Sequence, residues 1–288
     1  MDAERCAAYL ADLHELGRVI HIAGGECMLY WDELVRGIEL ARPRGVQPHF
    51  IETNGSFATN DQIVRDRLER LQSLGVVGLY LSADPYHQAH VPAERVVRVR
   101  DAAFELLGQQ NVWGPRGTLE EVREFERIAR DEARLAEHVG RRPPKFVGTA
   151  YRELSRYVDQ HAVDALPTGR GWRFDHDGPD CAVEFDPDRI WELHIDPYDN
   201  IQTNCGVILG KANEKKVSQL VREGPGNANL ISRMLAEGGP IRLAKWARDK
   251  HGFALPERVP DKCALCYLTR RHLRSFYPNI LGPDEIYD

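Results

Sequence analysis

Val19-Ile-His-Ile-Ala-Gly-Gly-Glu26 is the stretch on which the fold turns. Its β-branched residues alternate with polar ones and then break into two glycines and an acid. The spacing predicts a half-buried or buried strand, and the glycine pair lets the backbone turn sharply or approach a ligand closely. Glu26 falls just past the strand's carboxyl end, where ligand sites form in open and barrel α/β folds. On these residues alone a solvated acid after a plain turn fits as well, so the flanking sequence decides.

Upstream, Asp2 to Leu16 reads as an amphipathic helix with Ala7, Leu10, Leu13 and Leu16 on one face and Gly17 as its stop. Downstream, a helix is expected from Trp31 to Ala41, a strand from Gln47 to Thr53 closed by Asn54-Gly55, and a helix from Asp61 to Leu74 ended by Gly75. A strand from Val76 to Ser82 and a helix from Pro92 to Leu107 follow. The beat continues with a short strand at Asn111 to Trp113, one long charged helix from Leu119 to His138, and a strand at Lys145 to Val147. Strand–helix alternation at this spacing means a parallel sheet with helical crossovers, either a barrel or a doubly wound sheet. No G-x-G-x-x-G follows a strand, which removes the best signal for dinucleotide binding.

From about Ala162 the rhythm changes, and a domain boundary is placed there, giving domains 1–161 and 162–288. Gly169 to Gly178 has linker composition. Ile190 to Ile195 and Ile201 to Thr203 read as a hairpin across Asp196-Pro-Tyr-Asp-Asn200. Helical segments are expected at Val217 to Arg222, Ala228 to Glu237 and Leu243 to His251, followed by Cys263-x-x-Cys266 and a basic run holding Arg270, Arg271 and Arg274. That run reads as a solvated helix end rather than an anion-steering face.

The 288 residues are 42% hydrophobic and 28% charged, ordinary for a globular protein. A net charge of −6 argues against nucleic acid and anionic membranes as partners. No apolar run approaches the roughly 20 residues of a membrane span. Met-Asp-Ala-Glu at the start is not a secretory signal, so a cytoplasmic location is expected. In that setting the six cysteines, Cys6, Cys27, Cys181, Cys205, Cys263 and Cys266, favour metal or redox chemistry over a disulfide framework.

Three strand ends carry polar groups: Gly24-Gly25-Glu26, Glu52-Thr53-Asn54-Gly55 and Ser82-Ala83-Asp84. In a parallel sheet they share one edge. Glycine backbone, carboxylate, amide and hydroxyl suit a zwitterionic, ribose-bearing small molecule: a carboxylate accepts from an ammonium group, and the others bind ribose hydroxyls. The plain alternative is that strands commonly end in polar residues. His87 and His90 fall near the same mouth and read as polar loop residues. Gly206-Val-Ile-Leu-Gly210-Lys211-Ala212 is one residue short of a P-loop and ends in alanine, so it is not read as one.

The order GGE, ETNG and Ser-x-Asp, with helices between, resembles the radical SAM superfamily over about residues 2 to 160. The resemblance implies an incomplete parallel (β/α)6 TIM-like barrel, here lacking its first strand, with S-adenosylmethionine at its mouth. Gly24, Gly25 and Glu26 would hold the methionyl amino group, with Thr53, Asn54, Ser82 and Asp84 near the methionine or ribose. The family's activity is reductive cleavage of the cofactor to a 5′-deoxyadenosyl radical that abstracts hydrogen from a substrate. One departure is serious: the C-x3-C-x2-C that holds the family's catalytic 4Fe–4S cluster occurs nowhere in this chain. Either residue 1 falls after the first strand and its cysteines, or the chain is a degenerate member. Cys27 stands where relatives usually have proline, and reads as a small buried hydrophobe.

The pattern HIDPYDNIQTNC, then LGKANEKKVSQLV, then C-x-x-C resembles the SPASM or shorter twitch extensions of the same superfamily. These α+β domains hold auxiliary 4Fe–4S clusters, which would make Cys181, Cys205, Cys263 and Cys266 metal ligands. Cys181 is separated from Cys205 by a longer interval than usual, and Asp199 stands where the turn glycine is expected. Four thiolates also suit zinc, and inert buried thiols remain open. SPASM-type relatives often modify peptides, so a peptide substrate is implied. Two functions stand side by side: radical chemistry from S-adenosylmethionine, inactive in this chain for want of the catalytic cluster, and a non-catalytic barrel that binds S-adenosylmethionine or a peptide and keeps a structural metal site. An unrelated barrel enzyme with a zinc knuckle is the third. No catalytic acid or base is named by these residues.

Overall fold

The computed structural model describes residues 1–166, 181, 183–188, 190 and 192–287. The chain forms two compact units, Met1–Leu135 and Ala136–Asp288. The division falls earlier than the expected boundary near residue 162. The reason is strand pairing: His161–Ala162 runs antiparallel to Arg258–Val259, which commits the segment to the second unit.

In the first unit the elements run α1 (Ala3–His14), β1 (His21–Ile22), α2 (Trp31–Ala41), β2 (Phe50–Thr53), α3 (Asp61–Ser73), β3 (Gly78–Leu81), α4 (Pro85–Gln88), α5 (Ala93–Leu107), β4 (Val112–Trp113) and α6 (Leu119–Arg130). The four strands are parallel in the order β1-β2-β3-β4, so their carboxyl ends share one edge, as the alternation predicts. The register sets Ile22, Ile51, Leu79 and Val112 on one face, where they pack among Val64, Leu68, Val96 and Val99 of α3 and α5. Ile51 and Leu79 are fully buried, each worth about 1.5–3 kcal/mol of transfer free energy. The other face presents His21, Phe50, Glu52, Tyr80 and Trp113. His21 stacks on Phe50 at 4.9 Å, and Tyr80 and Trp113 are exposed. Gly78 lies on that face because a Cβ there would meet the Asn111 carbonyl at 2.6 Å.

Two expected elements differ. The long helix from Leu119 to His138 is two, α6 and α7 (Glu132–Arg141), because Asp131 is extended at φ −120°, ψ 112° and its Oδ1 accepts from Ala133 and Arg134 N–H. An aspartate that caps a new helix ends the old one. Lys145 to Val147 is no strand: Val147 leads straight into α8 (Gly148–Leu154).

The second unit continues with β5 (His161–Ala162), β6 (Leu193–Ile195), β7 (Asn200–Thr203), β8 (Ile208–Lys211), α9 (Val217–Glu223), α10 (Leu230–His251), β9 (Arg258–Val259), α11 (Lys262–Leu273) and α12 (Pro278–Leu281). The expected hairpin is β6–β7, extended by β8 to a three-stranded antiparallel sheet. Its turn places Asp199 at φ +63°, the left-handed conformation that the missing glycine would have supplied. The near-P-loop residues form β8, an antiparallel strand, not a phosphate loop. The two expected helices after Ala228 are one span interrupted at Gly239 (φ +63°) and Pro240. The expected linker from Gly169 to Gly178 lies outside the described residues.

Candidate functional site

The first site is built on one carboxylate. Gly24 (φ +94°) and Gly25 (φ +50°) carry the chain off β1, and a Cβ at either would meet no atom within 4 Å. Backbone conformation, rather than crowding, therefore demands glycine, and space stays open beside the loop. Glu26 follows and is 7% exposed, so it is not a solvated acid. Its Oε1 accepts from Met28 N–H at 3.1 Å and Thr53 Oγ1–H at 2.8 Å, and its Oε2 from Asn54 N–H at 2.7 Å. A buried carboxylate persists only with such donors. It ties the GGE loop to the TNG loop. A carboxylate has about four acceptor positions, and three of those on Glu26 are filled.

The second loop is knitted further. Thr53, 2% exposed, accepts from Gly55 N–H through its hydroxyl, and the Asn54 side chain accepts from Ser56 N–H at 2.8 Å. Ser82 N–H donates to the Thr53 carbonyl at 2.9 Å, and Ser82 Oγ donates to Glu52 Oε1 at 3.2 Å. Thus all three predicted strand ends meet through Glu26, Thr53, Glu52 and Ser82. Cys27 donates its thiol to the Glu52 carbonyl at 3.2 Å. Burial and the Glu26 charge push its pKa up to about 12, so it stays a neutral thiol.

Asp84 caps α4, accepting from Tyr86 and His87 N–H, and its Oδ2 meets His87 Nδ1 at 2.8 Å. Burial works to raise the Asp84 pKa, but the His87 ring and backbone hydrogen bonds outweigh it and hold it below its ordinary value. The same bond raises His87 against its own burial, aided by the charges of Asp84, Glu52 and Glu26. A cavity of about 590 Å³ opens at these strand ends, lined by Glu52, Ser82, Asp84, Trp113 and Arg116 among others. Of the predicted cofactor residues, Ser82 and Asp84 line it. Gly24, Gly25, Glu26, Thr53 and Asn54 belong to the loops hydrogen-bonded to its rim.

The second site lies in the other unit. Asp261 caps α11, accepting from Ala264 N–H at 2.7 Å, and Cys263 and Cys266 follow one turn apart, both buried. Cys205 sits in the turn after β7, its Sγ 3.1 Å from Thr203 Oγ1. Burial raises the Cys205 thiol first, then the Glu184 charge, against Arg270. Burial likewise lifts Cys263 well above the ordinary value, reinforced by Asp261 and by Cys181, Cys205 and Cys266. Cys181 is pushed up to about 12 by burial, with Cys205 and Cys266 adding and Lys262 opposing. Of the four cysteines, Cys263 and Cys266 share the first turns of α11, and Cys205 is joined to that helix through Arg270, which donates to the Cys205 carbonyl at 3.1 Å. All six cysteines are free thiols. Among the described residues, no group of three or more His, Cys, Asp or Glu side chains is placed to hold a metal ion.

Trp113, Arg116 and Lys262 are not singled out as site residues by the sequence, and Arg270 overturns its reading as part of a solvated helix end. Trp113, in the two-residue β4, and Arg116, in the loop that follows it, line the cavity. Lys262, the first residue of α11, is 1% exposed, and Arg270, in the basic run expected to be solvated, is 2% exposed. Their signal was the spacing 262, 266, 270, which puts both on the helix stripe of Cys266. Compared with known proteins, the chain matches no family model and no curated sequence.

Proposed function

We propose that this chain is a radical SAM-type iron–sulfur protein: the first unit, part of an incomplete (β/α)6 barrel, binds S-adenosylmethionine at its strand ends, and the second is a SPASM-like domain that holds an auxiliary 4Fe–4S cluster. The observation that carries the reading is that Cys205 is joined to the helix of Cys263 and Cys266: Arg270, one turn past Cys266, donates to the Cys205 carbonyl at 3.1 Å. Beside these thiols lie two buried cations, Lys262 and Arg270, and two buried carboxylates, Asp261 and Glu184.

The strand-end cavity supports the other half. Trp113 and Tyr80 offer flat apolar surface for a base, while Glu52 and Asp84 favour a cationic, hydroxyl-rich ligand over a phosphate chain. When bound, the auxiliary cluster would supply electron-transfer capacity through iron held by the four thiolates. The chain itself carries no C-x3-C-x2-C, so binding of S-adenosylmethionine without its cleavage is the expected behaviour. A peptide substrate is proposed on the SPASM likeness alone.

Anaerobic reconstitution with iron and sulfide tests the reading. About four irons per chain with a charge-transfer band near 400 nm are expected. Cys205→Ser and Cys263→Ser should each lose most of that iron. Zinc alone, with no such band, would favour the non-catalytic module with a structural metal.

A further inference from the structure

We propose that Arg67 is a positioning residue of the strand-end site: from α3 it holds the GGE and TNG loops at the spacing the ligand meets. The proposal deepens the reading of these loops as the S-adenosylmethionine site and rests on it for the identity of the ligand.

Helix α3 bears three arginines, Arg65, Arg67 and Arg70. Arg65 and Arg70 make surface ion pairs, with Glu105 at 2.6 Å and with Glu39. Arg67 is half-buried and, among the described residues, has no carboxylate within ion-pair distance. Its Nη1 donates instead to the Met28 carbonyl at 2.5 Å, and its guanidinium lies over the Trp31 ring at 4.9 Å and the Phe57 ring at 5.3 Å. Both distances fall inside the roughly 6 Å over which a ring quadrupole attracts a cation. Met28 and Trp31 follow Gly24-Gly25-Glu26, and Phe57 follows Thr53-Asn54-Gly55. One side chain therefore grips the chain just beyond each loop.

The loops are already joined once, through the Glu26 carboxylate, which accepts from Thr53, Asn54 and Met28. Met28 gives its N–H to Glu26 and its carbonyl to Arg67, so its backbone is fixed between the acid and the cation. Two arginines of α5 hold the TNG side by itself: Arg95 donates to the Ser56 carbonyl at 2.5 Å and Arg98 to the Ala58 carbonyl at 2.8 Å. Arg67 is the one of these three that also reaches the GGE side. Carbonyls in a loop have no ladder partner and need another donor. Removing Arg67 releases the Met28 carbonyl and both rings, and leaves Glu26 to hold the junction. Binding groups must be held to within about 0.5 Å of their productive geometry, so the loss is felt by the ligand.

The test compares the full chain with Arg67→Ala, Arg67→Lys and, as a control on the same helix, Arg65→Ala. Two quantities are measured: affinity for S-adenosylmethionine by calorimetry, and hydrogen exchange at the Asn54 N–H, which donates to Glu26 Oε2 at 2.7 Å. Arg67→Ala is expected to bind about tenfold more weakly, the worth of two cation–ring contacts and a hydrogen bond, and to exchange Asn54 faster. Arg67→Lys keeps the charge but has no flat face to spread over two rings, and should fall between Arg67→Ala and wild type. Low-millimolar guanidinium should restore affinity and protection in Arg67→Ala and do nothing for Glu26→Gln. Arg65→Ala should match wild type. Wild-type affinity and exchange in Arg67→Ala overturn the proposal, and so does a loss that guanidinium does not restore, which marks a packing role. Should Arg67→Ala fail to fold, Arg67→Lys decides: wild-type values there overturn the proposal. A folded wild type that binds no S-adenosylmethionine overturns the ligand reading, while exchange at Asn54 still decides the positioning role.

Discussion

Glu26 is a buried acid whose two oxygens already hold three donors. Glu26→Gln keeps the shape but turns an N–H donor toward the Asn54 or Met28 N–H, leaving a buried donor unmet. A loss of about 1–3 kcal/mol is expected in urea denaturation, together with loss of affinity for S-adenosylmethionine; unchanged stability would contradict the role given to the loop junction. The Asp84–His87 pair makes a pH prediction. His87 is raised above its ordinary 6.5, so its contribution is full below that pH and fades as pH rises through the raised value. Asp84 is lowered below 3.8, so its contribution is present above that pH and fades as pH falls through the lowered value. Both side chains are 39% exposed, and screening keeps the pair below about 1 kcal/mol. The stability gap between wild type and His87→Ala should be widest between pH 3.8 and 6.5 and shrink above it; a flat gap sinks the assignment. The acid after two glycines was legible in the chain. Its burial was not, because that depends on Thr53 and Asn54, 27 and 28 residues away.

Among the elements, α11 carries the most. Its N-cap Asp261 fixes the turn bearing Cys263 and Cys266. Asp261→Ala should cost about 1–2 kcal/mol of stability and lower iron uptake, whereas Asp261→Asn, which can still accept from Ala264 N–H, should retain most of both. Equal iron in all three would separate the cap from the site. Strands and helices of the first unit were legible because their apolar spacing agrees with their caps and glycine stops. Two failures have physical causes. The α6–α7 pattern is helical on both sides of Asp131, and only the capping geometry of its side chain breaks it. Lys145 to Val147 has strand-like residues but no strand partner, and the turn into α8 wins. Asp199 is the reverse case: the sequence lacks glycine, yet the turn takes the left-handed backbone that aspartate tolerates.

For the whole molecule, the unit boundary was the least legible feature. Composition changes near Ala162, but pairing with Arg258–Val259 is what assigns that segment, and such a long-range contact leaves no local mark. No helix among the described residues is long and apolar enough to cross a membrane. Under reducing conditions the chain is expected to release no 5′-deoxyadenosine, since it encodes no C-x3-C-x2-C; product release would contradict that reading. The claim on which the functional account turns is that the joined GGE, TNG and Ser-x-Asp loops take S-adenosylmethionine. Calorimetric titration of the chain with that cofactor measures it most directly. Saturable binding of one equivalent, weakened at least tenfold by Asp84→Ala and by Glu26→Gln, is the predicted result. No binding by the folded wild type, or binding indifferent to both substitutions, would contradict it.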